Sequence, residues 1–210
     1  NELNARQQEA VKSVEGPLMV VAGPGSGKTR VMTYRMAYLI SIGVPAYQML
    51  ALTFTNKAAN EMKGRIVTLV GEKSRQLWMG TFHSVFARML RVECEKIGFQ
   101  RNFSIYDDAD SLGLIKNILG SLGISSQQYN PYSIRSRISG AKSQLVSPAE
   151  YAERALDMFD QKTSAVYLEY QKQLKQNNAM DFDDLLLKPI ELFRTHKNIA
   201  EKYQEYFRFI

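Results

Sequence analysis

Ala22-Gly23-Pro24-Gly25-Ser26-Gly27-Lys28-Thr29 is the stretch of this chain whose residue types and spacing carry the most chemistry. It fits the phosphate-loop pattern Ala/Gly-x-x-x-x-Gly-Lys-Ser/Thr, with Ala rather than Gly in first position. Small residues let a backbone curl until its N–H groups point inward, and a helix starting at the loop adds the positive end of its dipole. In that geometry Lys28 would reach the β- and γ-phosphates of a nucleotide as a point charge. The Thr29 hydroxyl would ligate Mg²⁺. Arg30 follows directly; its guanidinium plane suits stacking on a purine, and a surface Arg in the first helical turn is the alternative. Upstream, the Gln7 amide donates and accepts at once, as the N6/N7 edge of adenine demands, although an exposed helical glutamine has the same pattern.

A second set of residues suits single-stranded nucleic acid. Phe54 closes an apolar run, at the strand end where α/β sheets place their binding loops, and Thr55, Asn56 and Lys57 follow it. Bases stack on an aromatic ring while hydroxyl, amide and ammonium groups reach phosphates. From its pattern alone, a Phe ending a strand is more at home in the core. Gly80-Thr81-Phe82-His83-Ser84 follows the next apolar run. No Ser, Asp or Cys partner is patterned around His83 to make it a catalytic base, and His196 lies in a polar helical stretch that suggests no metal site. Asp181, Asp183 and Asp184 fall within four residues at a helix start, where carboxylates cap N–H groups and favour the dipole, so they read as a cap rather than a metal site.

Five segments in order, Leu3 to Val11, Ala22 to Thr29, Thr53 to Ala59, Gly80 to Ser84 and Met180 to Leu186, make the chain resemble the superfamily 1 DNA helicases of the UvrD/PcrA/Rep group from end to end. The resemblance implies an ATP- and Mg²⁺-dependent enzyme moving 3′ to 5′ on single-stranded DNA and opening duplex junctions. It makes Gln7 the adenine-reading glutamine, lays Arg30 against the base, and gives Ala22, Gly23, Pro24, Gly25, Ser26, Gly27, Lys28 and Thr29 to the phosphates. It gives Thr53, Phe54, Thr55, Asn56 and Lys57, then Thr81, Phe82, His83 and Ser84, to the DNA strand. A second RecA-like lobe is the implied partner. By the same resemblance an inserted helical subdomain faces the duplex, where Arg135, Arg137 and Lys142 touch phosphates or form a solvated surface. The rival readings are a P-loop switch or nucleotide kinase, which a buried Phe54 would favour, and a DNA-binding module holding a structural nucleotide.

Positioning these residues requires a strand at Leu18 to Val21 before the loop, buried by its four apolar residues, and a helix from Lys28 to Ser41 after it, stopped by Gly43 and Pro45. Further strands are predicted at Met49–Phe54 and Leu77–Phe82, each followed by a helix, the first capped by Thr55-Asn56 and ended by Gly71, the second stopping at Gly98. Short strands alternating with helices mean a parallel α/β sheet. Beyond Phe103, apart from a short extended Phe103 to Tyr106, the pattern is helical: a Leu112 to Leu122 stripe, helix starts at Pro131 and Pro148, and a Tyr151, Ala155, Leu156, Phe159 stripe. Tyr206 to Ile210 read as the start of another strand. The expected fold is therefore α/β, a RecA-like P-loop parallel sheet (residues 1–88 plus 180–210) with an all-helical subdomain inserted at 89–179.

Composition excludes other classes. Of 210 residues 45% are hydrophobic, with no run of about 18 apolar residues to span a membrane. The opening Asn-Glu-Leu-Asn is no signal peptide, and without an initiator Met it reads as trimmed. One cysteine, Cys94, cannot form an internal disulfide; it reads as packing and fits a cytoplasmic protein. The net charge is +6, and nine Lys/Arg against four Glu between Lys57 and Arg101 carry most of it. That excess suits a polyanion or a solvated helix face equally.

In the resembling family an Asp-Glu pair that holds Mg²⁺ and orients water lies beyond the strand that Tyr206 begins, so this chain alone is expected to bind ATP without turnover, with or without DNA. Phosphate release by the purified chain measures this; steady release above background, lost on Lys28→Ala, would contradict it.

Overall fold

A computed structural model describes residues 3–210; Asn1 and Glu2, the start of the segment read as lacking a leader, lie outside the described residues. The chain forms two compact units, residues 1–85 with 198–210 and residues 86–197. The sequence prediction divides it instead at 88/89 and 179/180.

Unit 1 carries α1 (Ala5–Lys12), α2 (Lys28–Ser41), β1 (Leu50–Thr53), α3 (Asn56–Val70) and β2 (Trp78–Thr81), in chain order. β1 and β2 run parallel, with Leu50 opposite Trp78 and Thr53 opposite Thr81. α3 starts where predicted because Thr55 accepts the Ala58 N–H, and it stops at Gly71, whose φ of 61° favours glycine. Met36, Leu39, Met49, Ala51, Met62, Ile66 and Leu77 pack into one apolar core, drawn from α2, α3 and the strands.

Two predicted strands come out differently. Leu18, Met19, Val20 and Val21 form no strand and are exposed, Met19 at 85% and Val21 at 88%. A central parallel strand exists through its ladder neighbours, and among the described residues this segment has none. An apolar cavity of about 670 Å³ lies beside it, lined by Leu18, Val20, Val31, Met36, Leu50 and Phe209. At the other end, Tyr206 is the last residue of a helix rather than the start of a strand. Extended pairing begins later, where Phe209 bridges in parallel to Met49 and the Leu50 N–H donates to the Phe209 carbonyl at 2.8 Å.

α4 (Phe82–Glu93) leads into unit 2, which holds β3 (Ser104–Tyr106), α5 (Asp108–Ser121), α6 (Pro131–Ser143), α7 (Pro148–Arg154), α8 (Met158–Gln176), β4 (Ala179–Asp181) and α9 (Phe182–Thr195); α10 (Lys197–Tyr206) then closes the chain. Pro131 and Pro148 each open a helix, as predicted, behind Asn130 and Ser147 caps. The expected Tyr151–Phe159 stripe is broken: α7 stops at Arg154, Asp157 caps α8, and Leu156 between them is 91% exposed. Cys94 is fully buried among Leu90, Phe99, Phe103, Met180 and Leu185, the packing role expected of it.

β3 and β4 pair in parallel, Tyr106 opposite Asp181, so unit 2 is not purely helical. Asp181 then caps α9, accepting the Asp184 N–H at 2.8 Å. Both carboxylates meet Lys142 of α6, whose Nζ lies 2.7 Å from Asp181 and 3.1 Å from Asp184 with the side chain 1% exposed. The Tyr170 hydroxyl donates to Asp181 at 2.9 Å. This corrects the reading of Lys142 as a phosphate contact or solvated cation: its α6 face turns inward and its charge is spent on two buried acids. Arg135 and Arg137 pair with Asp108 and Asp160.

Burial pushes the Asp184 carboxyl above its ordinary pKa, and Lys142 opposes that. Removing the ammonium leaves two buried carboxylates uncompensated, which costs about 3–5 kcal/mol. In Lys142→Met the folded state then holds a proton that the unfolded state releases, so stability falls as pH rises. Denaturant unfolding of Lys142→Met is expected to show that deficit at pH 8 and a smaller one at pH 5; a small, pH-independent loss would contradict the buried triad.

Candidate nucleotide site and nucleic-acid surface

The loop between Ala22 and Lys28 lies on the surface of unit 1 with its glycines in the conformation that the pattern requires. Gly25 and Gly27 have φ of 73° and 85°, left-handed values that cost other residues strain. Gly27 is also the residue that precedes α2, and it brings no side chain to cap the helix. The first amides of α2 therefore lack the usual Ser, Thr or Asp oxygen.

The loop's carbonyls are used internally. Lys28 Nζ donates to Ala22 O at 3.1 Å and Gly23 O at 2.8 Å, and the Ser26 hydroxyl donates to Gly23 O at 2.6 Å. The ammonium is thus held over the loop, its acceptors tied back and the α2 N-terminus open. Thr29, half-buried, occupies the second position of the helix, and Arg30 is exposed beside it.

Gln7 reaches this loop from α1. Its Nε2 donates to Ser26 O at 3.0 Å, and a Cβ at Gly27 would stand 3.0 Å from that nitrogen. Its Oε1 accepts the Asn4 N–H at 3.0 Å while Asn4 accepts the Gln7 N–H, a capping box. Asn-x-x-Gln before a helix is a legible signature of that box, and Asn4 and Gln7 carry it in the sequence. An amide has two N–H donors and two acceptor lone pairs, so one of each remains for a ligand. Arg35 carries no such signature. It donates to Ala10 O at 2.8 Å and to Ser13 O, tying α2 to the end of α1.

The nucleic-acid candidates follow from strand register. Because β1 and β2 are parallel neighbours with Thr53 opposite Thr81, the residues that follow their C-terminal ends come side by side. The Phe54 and Phe82 rings lie 5.7 Å apart, tilted at 41°. Phe54 is 92% exposed, so it is not a core residue. Thr55, Asn56, Lys57 and Ser84 are exposed around the pair and His83 is half-buried. Thr53 and Thr81 are buried, and their hydroxyls shape the turns: Thr53 donates to Thr55 O at 3.1 Å and Thr81 accepts the Ser84 N–H at 3.3 Å. Gly80 lies close against that turn: a Cβ there would lie 2.3 Å from Ser84 Oγ, which would have to rotate away.

The basic residues between Lys57 and Arg101 divide. Arg65, Arg75 and Arg101 pair with Glu61, Glu72 and Glu95 on the surface, contacts worth little in water. Arg91 lies over the Phe103 ring at 3.7 Å, while Lys57, Lys63 and Lys73 are exposed. No described helix is long and apolar enough to cross a membrane.

The family described as UvrD/REP helicase N-terminal domain matches residues 3–210. The chain is 46% identical over 211 residues to an ATP-dependent DNA helicase PcrA of Staphylococcus aureus (strain NCTC 8325 / PS 47), covering 100% of this chain and 29% of that protein. It is 46% identical over 209 residues to the ATP-dependent DNA helicase PcrA of Bacillus subtilis (strain 168), covering 99% of this chain and 28% of that protein. The chain thus spans less than a third of the length of these relatives.

Proposed function

Since the chain belongs to the family of UvrD/REP helicase N-terminal domains, we propose that it is the ATP-binding and strand-gripping part of an ATP-dependent DNA helicase. The observation that carries this reading is a coexistence within unit 1: a helix N-terminus without a side-chain cap behind the Lys28 loop, and, at the ends of two parallel strands, an exposed Phe54 ring beside the half-buried Phe82. A P-loop switch or nucleotide kinase would leave Phe54 and Phe82 without employment.

In this reading Gly23 to Thr29 receive the triphosphate. Backbone N–H groups of the α2 N-terminus take phosphate oxygens, and Lys28 exchanges its loop carbonyls for the β- and γ-phosphates. Mg²⁺ held by the Thr29 hydroxyl would neutralise charge on those phosphates. Gln7 meets the adenine edge with its remaining donor and lone pair, and Arg30 covers the purine face. Single-stranded DNA lies across Phe54 and Phe82, its phosphates met by Thr55, Asn56, Lys57 and Ser84. The sheet begun by β1 and β2 is the RecA-like sheet of subdomain 1A, and the helical residues 89–179 are subdomain 1B at the duplex junction. Closure against a second lobe would move the strand base by base, 3′ to 5′.

Lys28→Ala removes the one side-chain cation of the loop itself and leaves the phosphates with backbone donors. Calorimetry is expected to show ATP affinity abolished, and equal binding by wild type and variant would refute the nucleotide site. Phe54→Ala is expected to leave thermal unfolding nearly unchanged, because the ring is exposed, while weakening single-stranded DNA binding by about 1–3 kcal/mol with little change in sequence preference. A large fall in melting temperature with unaltered DNA affinity would place Phe54 in the fold instead.

A further inference from the structure

α1 is poorly equipped to hold its own position. At eight residues it is too short to be stable alone. Val11 is its one buried residue, so apolar packing supplies little. Its N-terminal end is tied by Gln7 to the Ser26 carbonyl. Its C-terminal end is tied by Arg35 of α2, one guanidinium nitrogen of which donates to both the Ala10 and Ser13 carbonyls.

Those two carbonyls belong to the last turn of α1 and its terminal cap, where acceptors lack intrahelical partners and the dipole is negative. A guanidinium there satisfies both needs at once. Partial burial pulls the Arg35 pKa below its ordinary value, yet the group stays charged, and hydrogen bonds from a charged donor are the strong kind. Arg35 lies seven residues after Lys28 on the same helix. The helix that opens at the phosphate site therefore also clamps the helix that carries Gln7.

We propose that Arg35 is a positioning residue for base recognition: by gripping the end of α1 it sets where the Gln7 amide stands over the phosphate loop, and so how tightly the protein prefers a nucleotide to a bare triphosphate. This rests on the ATP-binding reading above. Arg35 touches neither base nor phosphate in this account and acts through Gln7.

The test compares binding of Mg·ATP with that of Mg·tripolyphosphate in wild type, Arg35→Met, Arg35→Lys, Gln7→Ala and the double variant Arg35→Met/Gln7→Ala. Arg35→Met is expected to lower ATP affinity about threefold to tenfold, the scale of a misplaced hydrogen bond, and to leave tripolyphosphate affinity within about twofold. Arg35→Lys, which keeps a donor for one carbonyl, should recover part of the loss and stay folded. The double variant should lose no more ATP preference than Gln7→Ala alone, since both changes remove one interaction. Additive losses, or equal losses for both ligands, would overturn the positioning role while leaving the nucleotide site intact. A wild-type protein with no preference for ATP over tripolyphosphate would overturn the Gln7 reading, and the role of Arg35 with it.

Discussion

The proposed nucleotide site depends on one helix terminus that has no side-chain cap. Gly27 precedes α2 in a left-handed conformation and contributes no side chain, so the first amides of that helix have no capping side-chain oxygen. Seven of the ten described α-helices are finished differently: α1, α3, α5, α6, α7, α8 and α9 each place an Asn, Thr, Asp or Ser oxygen on those groups. Relative to a Ser, Thr or Asp cap, glycine at this position costs only about a few tenths of a kcal/mol. Retaining it makes sense where an external anion is the cap. The surroundings are arranged accordingly, with loop carbonyls turned to Lys28, Gln7 laid over Ser26, and Arg35 fixing the helix from which Gln7 reaches.

A different constraint shapes the proposed DNA surface. Parallel pairing brings both strand ends to one edge, and the Thr53–Thr81 register sets Phe54 and Phe82 ring to ring. Hydroxyls of the two buried threonines hydrogen-bond within the turns behind the rings, where Phe54 is exposed and Phe82 half-buried. In unit 2 the same device of an aspartate cap serves stability: Asp181 caps α9 and, with Asp184, neutralises the buried Lys142.

The parts of the fold legible in the sequence are those specified locally. α2 spans the predicted residues, and β1, β2 and α3 fall within a residue or two of them, because glycine stops, Thr caps and short apolar runs act over a few positions. What depended on distant partners was not legible. Leu18 to Val21 have the composition of a strand, but a strand is made by its neighbours, and none pairs with it among the described residues. Lys142 sits among Ser, Gly and Ala in a polar-looking helix, and the acid that buries it lies 39 residues later. Arg35 is one of many basic residues, and its acceptors are backbone carbonyls, which leave no mark in a sequence. The phosphate loop and the Phe54 segment stood out because their chemistry is carried by adjacent residues.

The claim that the open terminus of α2 is the anion site is tested most directly by following backbone amide resonances while Mg·ATP is added. The account predicts that the amides of Gly25 to Arg30 shift most and become protected from exchange, with those of α8 in unit 2 unmoved. Saturable ATP binding that leaves the Gly25 to Arg30 amides unchanged would contradict it.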